Sequence, residues 1–186
     1  MYNHNAEFID SEYSRTGNLE NNPIHKDMIA AARALDLVYI VNVVINSDKE
    51  VIHSVAGDLE QAHESGTEWL KERAGVEKQL ADIAITSNGG YPLDQNIYQA
   101  VKSMTAAEAT VKEGGVIIVS AESSDGTGGD AFYNAFVDEP DTQKLYQSFL
   151  DTPKIKTIPD QWESQILCRV LLKTKAVIYI LSLIHI

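Results

Sequence analysis

The stretch ADIAITSNGGYPLDQNIYQAVKSMTAAEATVKEGGVIIVSAESSDGTGGD, residues 81–130, decides the fold because short apolar runs alternate in it with helical patterns. The apolar runs are ADIAITSN at its start and VIIVS after Gly114-Gly115, and helices are predicted from about Leu93 and from Asp130. Strands that alternate with helices are typical of βαβ units, in which consecutive strands lie parallel in one sheet. The sequence therefore predicts an α/β protein with a Rossmann-like parallel-sheet domain.

Two glycine-bearing loops follow the predicted strands, SNGGYP at residues 87–92 and SSDGTGGD at residues 123–130. Ligands of parallel sheets bind beyond the carboxyl ends of the strands, and backbone N–H groups at a helix start can hold phosphate or carboxylate oxygens. Neither loop matches G-x-G-x-x-G or G-x-x-x-x-G-K-[ST], so these two nucleotide-binding motifs are not supported. Plain tight turns are an equal alternative for both loops.

The sequence before residue 81 predicts a helix, a β-hairpin and a second helix. Asn22 and Pro23 are typical of a helix start, and Asp58 begins a helix that runs to about Ala74. Between them, LVYIVNVVIN and EVIHSVAG are rich in β-branched residues and are joined by a short polar turn. We expect residues 1–74 to be the end of an N-terminal α/β domain and residues 75–181 to be an incomplete C-terminal α/β domain.

Composition excludes several classes of partner. The formal net charge of −12 repels phosphates and anionic lipids, so we expect neither nucleic acid nor membrane surfaces as partners. The single cysteine, Cys168, lies in an apolar helical pattern and is interpreted as a small buried hydrophobic residue. The first residues show no signal peptide, and a cytoplasmic location is expected.

Both ends of the chain have the character of an excised piece. The closing run AVIYILSLIHI is apolar to its last residue but is much shorter than the roughly 18 apolar residues of a membrane span. We interpret residues 182–186 as a non-native tail and assign them no function.

One predicted helix carries a set of side chains suited to an acid ligand. On the helix after the first loop, Tyr98, Gln99 and Lys102 share one face, opposite the apolar residues. A lysine can hold a carboxylate while a glutamine both donates and accepts hydrogen bonds. The residues alone favour a solvated helix face, and Trp162 by itself is interpreted as an ordinary packed aromatic. The five histidines have no metal-ligand spacing.

The residues of this region resemble a known family. ITSNGGYPLDQNIYQAVKSMTAAEATVKEGGVIIVSAESSDGTGGDAFYNAF closely resembles the C-terminal domain of the nickel-dependent lactate racemase family, and GNLENNPIHKDMIAAARALD, GDLEQAHESG and PDQWESQILCRVLL resemble further family segments. The resemblance implies an enzyme that interconverts the D and L forms of a 2-hydroxy acid by hydride transfer. It also implies a nickel-pincer nucleotide as cofactor, held by a lysine of the N-terminal domain, and catalytic histidines in that domain.

The resemblance also assigns roles to residues of this chain. The motif YQAVK implies that Tyr98, Gln99 and Lys102 bind substrate, with Lys102 at the carboxylate. Trp162 in PDQWES matches a family tryptophan near cofactor and substrate. His4 in YNHN lies at about the position of the nickel-coordinating histidine.

Two departures from the family pattern limit what this chain alone should do. The cofactor lysine and the catalytic histidines have no counterpart here, so the fragment is expected to be inactive without the missing N-terminal domain. Thr127 stands where a histidine was expected, which leaves lactate, malate, phenyllactate and other 2-hydroxy acids open as substrates. The alternatives are a non-catalytic module that binds a small anion and a nicotinamide-dependent dehydrogenase domain, the latter disfavoured because its glycine motif is absent. No oligomeric state is predicted.

Overall fold

The computed structural model describes residues 2–181, which form two compact units. One unit is the continuous segment Asn21–Glu77, and the other joins the residues up to Glu20 to those from Lys78 onward. No helix within the described part of the chain is long and apolar enough to cross a membrane.

The first twenty residues therefore pack with the C-terminal unit, whereas the sequence analysis grouped them with residues 21–74. How these units correspond to the domains of a longer protein stays a prediction. The predicted tail, residues 182–186, lies outside the described residues.

The smaller unit contains the predicted helix, hairpin and helix. Its elements are α2 (Pro23–Ala34), β1 (Ile40–Ile45), β2 (Val51–Gly57) and α3 (Leu59–Ala74). The Asn22 side chain accepts hydrogen bonds from the first turn of α2, and the Asp58 side chain does the same for α3.

The two strands of this unit pair antiparallel, and α3 covers one face of the hairpin. The ring of His53 stacks on Trp69 of α3 with centroids 4.3 Å apart, and Val55 packs against Gly66. The opposite face of the hairpin is apolar and open, since Val41 is 70% exposed. Within the described residues, therefore, only one face of the hairpin is covered by another element.

The larger unit is built on a parallel three-stranded sheet in the order β3-β4-β5. Its elements are α1 (Ala6–Asp10), β3 (Ala81–Ser87), α4 (Ile97–Thr110), β4 (Val111–Ala121), α5 (Asp130–Asp138), α6 (Thr142–Leu150), α7 (Gln161–Lys173) and β5 (Ala176–Leu181). The α/β prediction and the parallel sheet are confirmed.

Helix α4 closes the βαβ unit and buries its apolar face. Val101 and Met104 of α4 pack into one core with Ile117 and Val119 of β4 and with Val170 of α7. These side chains are almost fully excluded from water, which is the main stabilising contribution to this unit. The predicted apolar face of the helix is confirmed.

Two boundaries differ from the prediction. Helix α4 begins at Ile97 rather than near Leu93, because Asn96 accepts a hydrogen bond from Gln99 N at 2.9 Å and so caps the helix. Strand β4 begins five residues before the predicted VIIVS run. Gly115 permits this extension, since a Cβ there would lie 2.8 Å from the backbone oxygen of Asp82.

Helix α1 docks on α7 and ties the start of the chain to this unit. Ala6 and Ile9 are buried, and the Gln165 side chain donates a hydrogen bond to the Ala6 carbonyl at 3.0 Å. Cys168 is also buried in α7, as predicted, and burial raises the pKa of its thiol to about 12.

One ion pair connects the helices of this unit. The Arg169 guanidinium on α7 donates two hydrogen bonds of 2.8 Å to the Glu108 carboxylate on α4. The two side chains are 15% and 11% exposed, so the pair is largely withdrawn from water. Arg169 also donates to the Ile9 carbonyl at 3.4 Å. A single side chain therefore links α1, α4 and α7.

Arg169→Met should lower the free energy of unfolding of this unit by about 3 kcal/mol, because it leaves the Glu108 carboxylate buried without its partner. The matched control is Lys112→Met, which removes an exposed ion pair with Asp82 in the same unit and should cost less than about 1 kcal/mol. Urea denaturation followed by circular dichroism measures both changes. Equal losses in the two variants would contradict the role assigned to the Arg169–Glu108 pair.

Candidate functional site

The three side chains predicted on one face of α4 do lie together. The Lys102 ammonium donates a hydrogen bond to Gln99 Oε1 at 2.7 Å, and Lys102 Nζ lies 5.8 Å from the centroid of the Tyr98 ring. Lys102 is exposed, while Tyr98 and Gln99 are half-buried. The face therefore presents one accessible cation beside an amide and a phenol.

The second glycine-bearing loop fixes the start of α4. Gly126 O accepts a hydrogen bond from Ile97 N at 3.0 Å, and Thr127 O accepts one from Tyr98 N at 3.2 Å. Gly128 has a φ of +96°, and a Cβ there would lie 2.7 Å from Tyr98 Cβ. Only glycine permits this close approach of the loop to the helix.

These contacts bear on the small-anion alternative. The N–H groups of Ile97 and Tyr98 donate to the loop, and that of Gln99 donates to Asn96 Oδ1. These three donors of the first turn of α4 are thus hydrogen-bonded within the chain and cannot also bind an anion. The second loop therefore serves to position α4.

Helix α7 brings a second set of side chains to the same place. Asp160, which precedes α7 with a φ of +65°, accepts a hydrogen bond from the Tyr98 hydroxyl at 3.0 Å. The Trp162 and Tyr98 rings meet edge to face, with centroids 6.2 Å apart. Tyr98 also contacts Phe132 of α5 edge to face at 5.6 Å. The result is an aromatic wall beside Lys102.

His4 lies against this wall. Its ring meets Trp162 edge to face with centroids 5.3 Å apart, and its Nδ1 lies 2.8 Å from the Asn3 side-chain oxygen. Burial lowers the pKa of His4, which favours the neutral imidazole that binds metal ions. Among residues 2–181 there is no group of three or more His, Cys, Asp or Glu side chains that could hold a metal ion. A neutral imidazole such as that of His4 can contribute one nitrogen ligand to a metal ion.

The five predicted site residues, Tyr98, Gln99, Lys102, Trp162 and His4, are thus neighbours in space although they come from three parts of the chain. Their roles stay predictions.

Sequence reasoning missed Asp160 and Phe132 as members of this cluster. Asp160 follows a proline in the sequence, a pattern that is typical of a helix start and gives no sign of the contact with Tyr98.

Glu163 was also missed, and its environment is unusual. The residue is 0% exposed in the first turn of α7, and neither carboxyl oxygen has a hydrogen-bond partner within the described residues. Burial raises the pKa of Glu163 to about 8; the positive charge of Lys102 lowers it and the negative charge of Asp160 raises it further. At neutral pH the group is held mainly as the uncharged acid, because an unpaired buried carboxylate is costly.

Comparison with known proteins places the chain among relatives of one kind. A family model described as the lactate racemase C-terminal domain matches residues 76–185. The lactate racemase of Lactiplantibacillus plantarum is 55% identical over 171 residues, which cover 92% of this chain and 40% of the relative. The lactate racemase of Thermoanaerobacterium thermosaccharolyticum is 53% identical over 177 residues, which cover 95% of this chain and 42% of the relative.

A solved structure agrees with these relatives. The lactate racemase apoprotein from Thermoanaerobacterium thermosaccharolyticum matches with a TM-score of 0.91 and 52% identity, and the match covers 96% of this chain and 43% of that chain. The chain therefore spans about two fifths of the length of the curated relatives that it matches.

The raised pKa of Glu163 predicts how stability depends on pH. Between about pH 4.5 and pH 8 the unfolded chain has lost this proton while the folded chain keeps it, so the contribution of Glu163 to stability falls as the pH rises through this window. Glu163→Gln should remove that slope. The stabilisation that the substitution brings, measured as the free energy of unfolding of the variant minus that of the unmodified chain, should be about 4 kcal/mol larger at pH 8 than at pH 4. Urea titrations at several pH values measure it, with exposed Glu113→Gln as control. An unchanged slope would contradict the buried neutral acid.

Proposed function

The chain belongs to the lactate racemase C-terminal domain family, and on this premise we propose that it is part of an enzyme that racemises a 2-hydroxy acid. The observation that carries the proposal is the exposed Lys102–Gln99 pair beside the wall of Tyr98 and Trp162. Because the chain spans only about two fifths of its relatives, the activity is proposed for a longer protein. The chain alone is proposed to be inactive, and the longer protein to be cytoplasmic.

Lys102 and Gln99 are proposed to bind the acid end of the substrate. The Lys102 ammonium is accessible and positively charged, so it can pair with the substrate carboxylate and exchange its bond with Gln99 for that contact. The Gln99 amide then has both an acceptor and donors for the adjacent hydroxyl. Together these contacts fix the carboxylate and the hydroxyl, which are two of the four substituents of the centre that is inverted.

Tyr98 is proposed to act as a donor and as part of the wall, and not as a base. Burial and the hydrogen bond to Asp160 raise the pKa of Tyr98, so the phenol keeps its proton at neutral pH. Its ring and that of Trp162 exclude water from the side of the site that they cover.

The cofactor is proposed to be the nickel-pincer nucleotide that the family resemblance implies. When bound, it supplies a hydride acceptor for the α-hydrogen of the substrate. His4 is the residue of this chain proposed to coordinate its nickel, since the ring lies at Trp162 and is favoured in the neutral form. The lysine that holds the nucleotide, and the histidines that move the hydroxyl proton, are proposed to belong to the part of the protein that corresponds to the remaining length of the relatives.

The direct test is an assay of the full-length parent, produced together with its cofactor-maturation proteins and loaded with nickel. We expect loss of optical rotation from L-lactate or from another member of a panel that includes malate and phenyllactate. Absence of turnover on every 2-hydroxy acid of the panel would defeat the racemase proposal. Binding of NAD by the same preparation would instead favour a dehydrogenase.

Lys102→Ala in the full-length parent should lower kcat/KM by about 10- to 100-fold, because a charged hydrogen bond to the substrate carboxylate contributes about 1.5–3 kcal/mol. Stability should change by less than about 0.5 kcal/mol, since Lys102 is exposed. The matched control, Lys112→Ala, removes another exposed lysine, which lies away from the site, and should leave kcat/KM unchanged. Initial rates and thermal unfolding measure the two effects. Parallel losses of activity and stability in Lys102→Ala would indicate a structural role.

A further inference from the structure

We propose that Asn3 is a positioning residue for His4. The side-chain oxygen of Asn3 holds the imidazole in the Nδ1–H tautomer, so that Nε2 presents its lone pair to the metal. The assignment of His4 to nickel rests on the proposed function. The tautomer itself does not, and it can be tested separately.

The contact between the Asn3 and His4 side chains identifies which ring nitrogen of His4 carries the proton. His4 Nδ1 lies 2.8 Å from Asn3 Oδ1, a normal hydrogen-bond distance. An amide oxygen only accepts hydrogen bonds, so Nδ1 must carry the proton that is donated. In a neutral imidazole the other nitrogen, Nε2, then has a free lone pair, which is the form in which histidine binds a metal.

The backbone around Asn3 and His4 is held firmly, so this contact does not depend on two unrestrained side chains. Asn5 is 0% exposed; its Nδ2 donates to Tyr2 O at 2.6 Å and its Oδ1 accepts from Phe8 N at 3.1 Å. The first bond spans the turn that contains Asn3 and His4, and the second joins Asn5 to the first turn of α1. Docking of the next residue, Ala6, by Gln165 fixes the turn against α7.

The orientation of the ring is also restrained from the side of α7. The His4 and Trp162 rings meet with an interplanar angle of 66°, so rotation of the imidazole is limited by the indole. Within the described residues, the only hydrogen bond of the His4 ring is the one to Asn3. Nε2 is therefore the nitrogen left for an external partner.

An acceptor for the second ring nitrogen affects how strongly a histidine binds a metal ion. Metal-binding histidines usually donate their second nitrogen to an oxygen acceptor, which fixes the tautomer and the ring direction, and loss of that acceptor typically lowers metal affinity 10- to 100-fold. An asparagine oxygen supplies this acceptor without adding a negative charge next to the imidazole.

The first experiment determines the His4 tautomer in the full-length parent, prepared without nickel. Long-range ¹H–¹⁵N correlation spectra at a pH where His4 is neutral should show a protonated Nδ1 and an unprotonated Nε2. Asn3→Ala should move both ¹⁵N shifts toward the averaged values of an unrestrained imidazole, whereas Asn3→Asp, which keeps an acceptor oxygen, should retain the Nδ1–H form. Asn134→Ala, at an exposed position in α5, is the matched control and should change nothing. A protonated Nε2 in the unmodified chain, or an unaltered tautomer in Asn3→Ala, would overturn the proposal.

The second experiment measures nickel retention by the full-length parent against a chelator. His4→Ala should lower retention strongly, and Asn3→Ala should lower it about 10- to 100-fold. Normal retention in Asn3→Ala together with a loss in His4→Ala would overturn the positioning role. No effect in His4→Ala would reject the nickel assignment of the proposed function, in which case the spectra alone decide the tautomer.

Discussion

The ion pair between Arg169 and Glu108 is the interaction on which the arrangement of the candidate site depends. It joins α7, which begins next to Trp162, to α4, which carries Tyr98, and Arg169 reaches on to the backbone of α1. Both partners are largely buried, so the pair has a strict geometry and tolerates little displacement of either helix. Because this contact holds α4 and α7 together, it also determines where Tyr98, Trp162 and Lys102 lie relative to one another.

The site also shows how charge is arranged around the exposed Lys102. The carboxyl group of Glu163 lies close enough to Lys102 and to Asp160 for both charges to affect its pKa. Asp160 is occupied by the Tyr98 hydroxyl, and Glu163 is held as a neutral acid by burial. Neither forms an ion pair with Lys102, whose ammonium has a neutral amide as partner. An exposed cation with a weak internal partner exchanges that partner easily for an incoming carboxylate.

Much of the fold followed from local patterns, since the alternation of apolar runs with helices predicted the parallel sheet and the cap at Asn22 predicted α2. The grouping of Tyr98, Gln99 and Lys102 followed from helical spacing, while their link to Trp162 and His4 came from family resemblance. The docking of the first twenty residues could not be predicted, because the bond between Gln165 and Ala6 joins positions 159 residues apart and leaves no local signal. The burial of Glu163 was hidden for a related reason, as an acid in the first turn of a helix usually lies in water.

The division of the larger unit into two separated pieces has a consequence for the order in which the molecule assembles. The segment Asn21–Glu77 is continuous and can complete its own contacts as soon as it leaves the ribosome. The first twenty residues emerge earlier but must wait for α7, and closing a loop of 159 residues costs roughly 4.5 kcal/mol of chain entropy before any contact is gained. We therefore expect the histidine at position 4 to reach its aromatic neighbour among the last events of folding, after the rest of the sheet and its helices have formed.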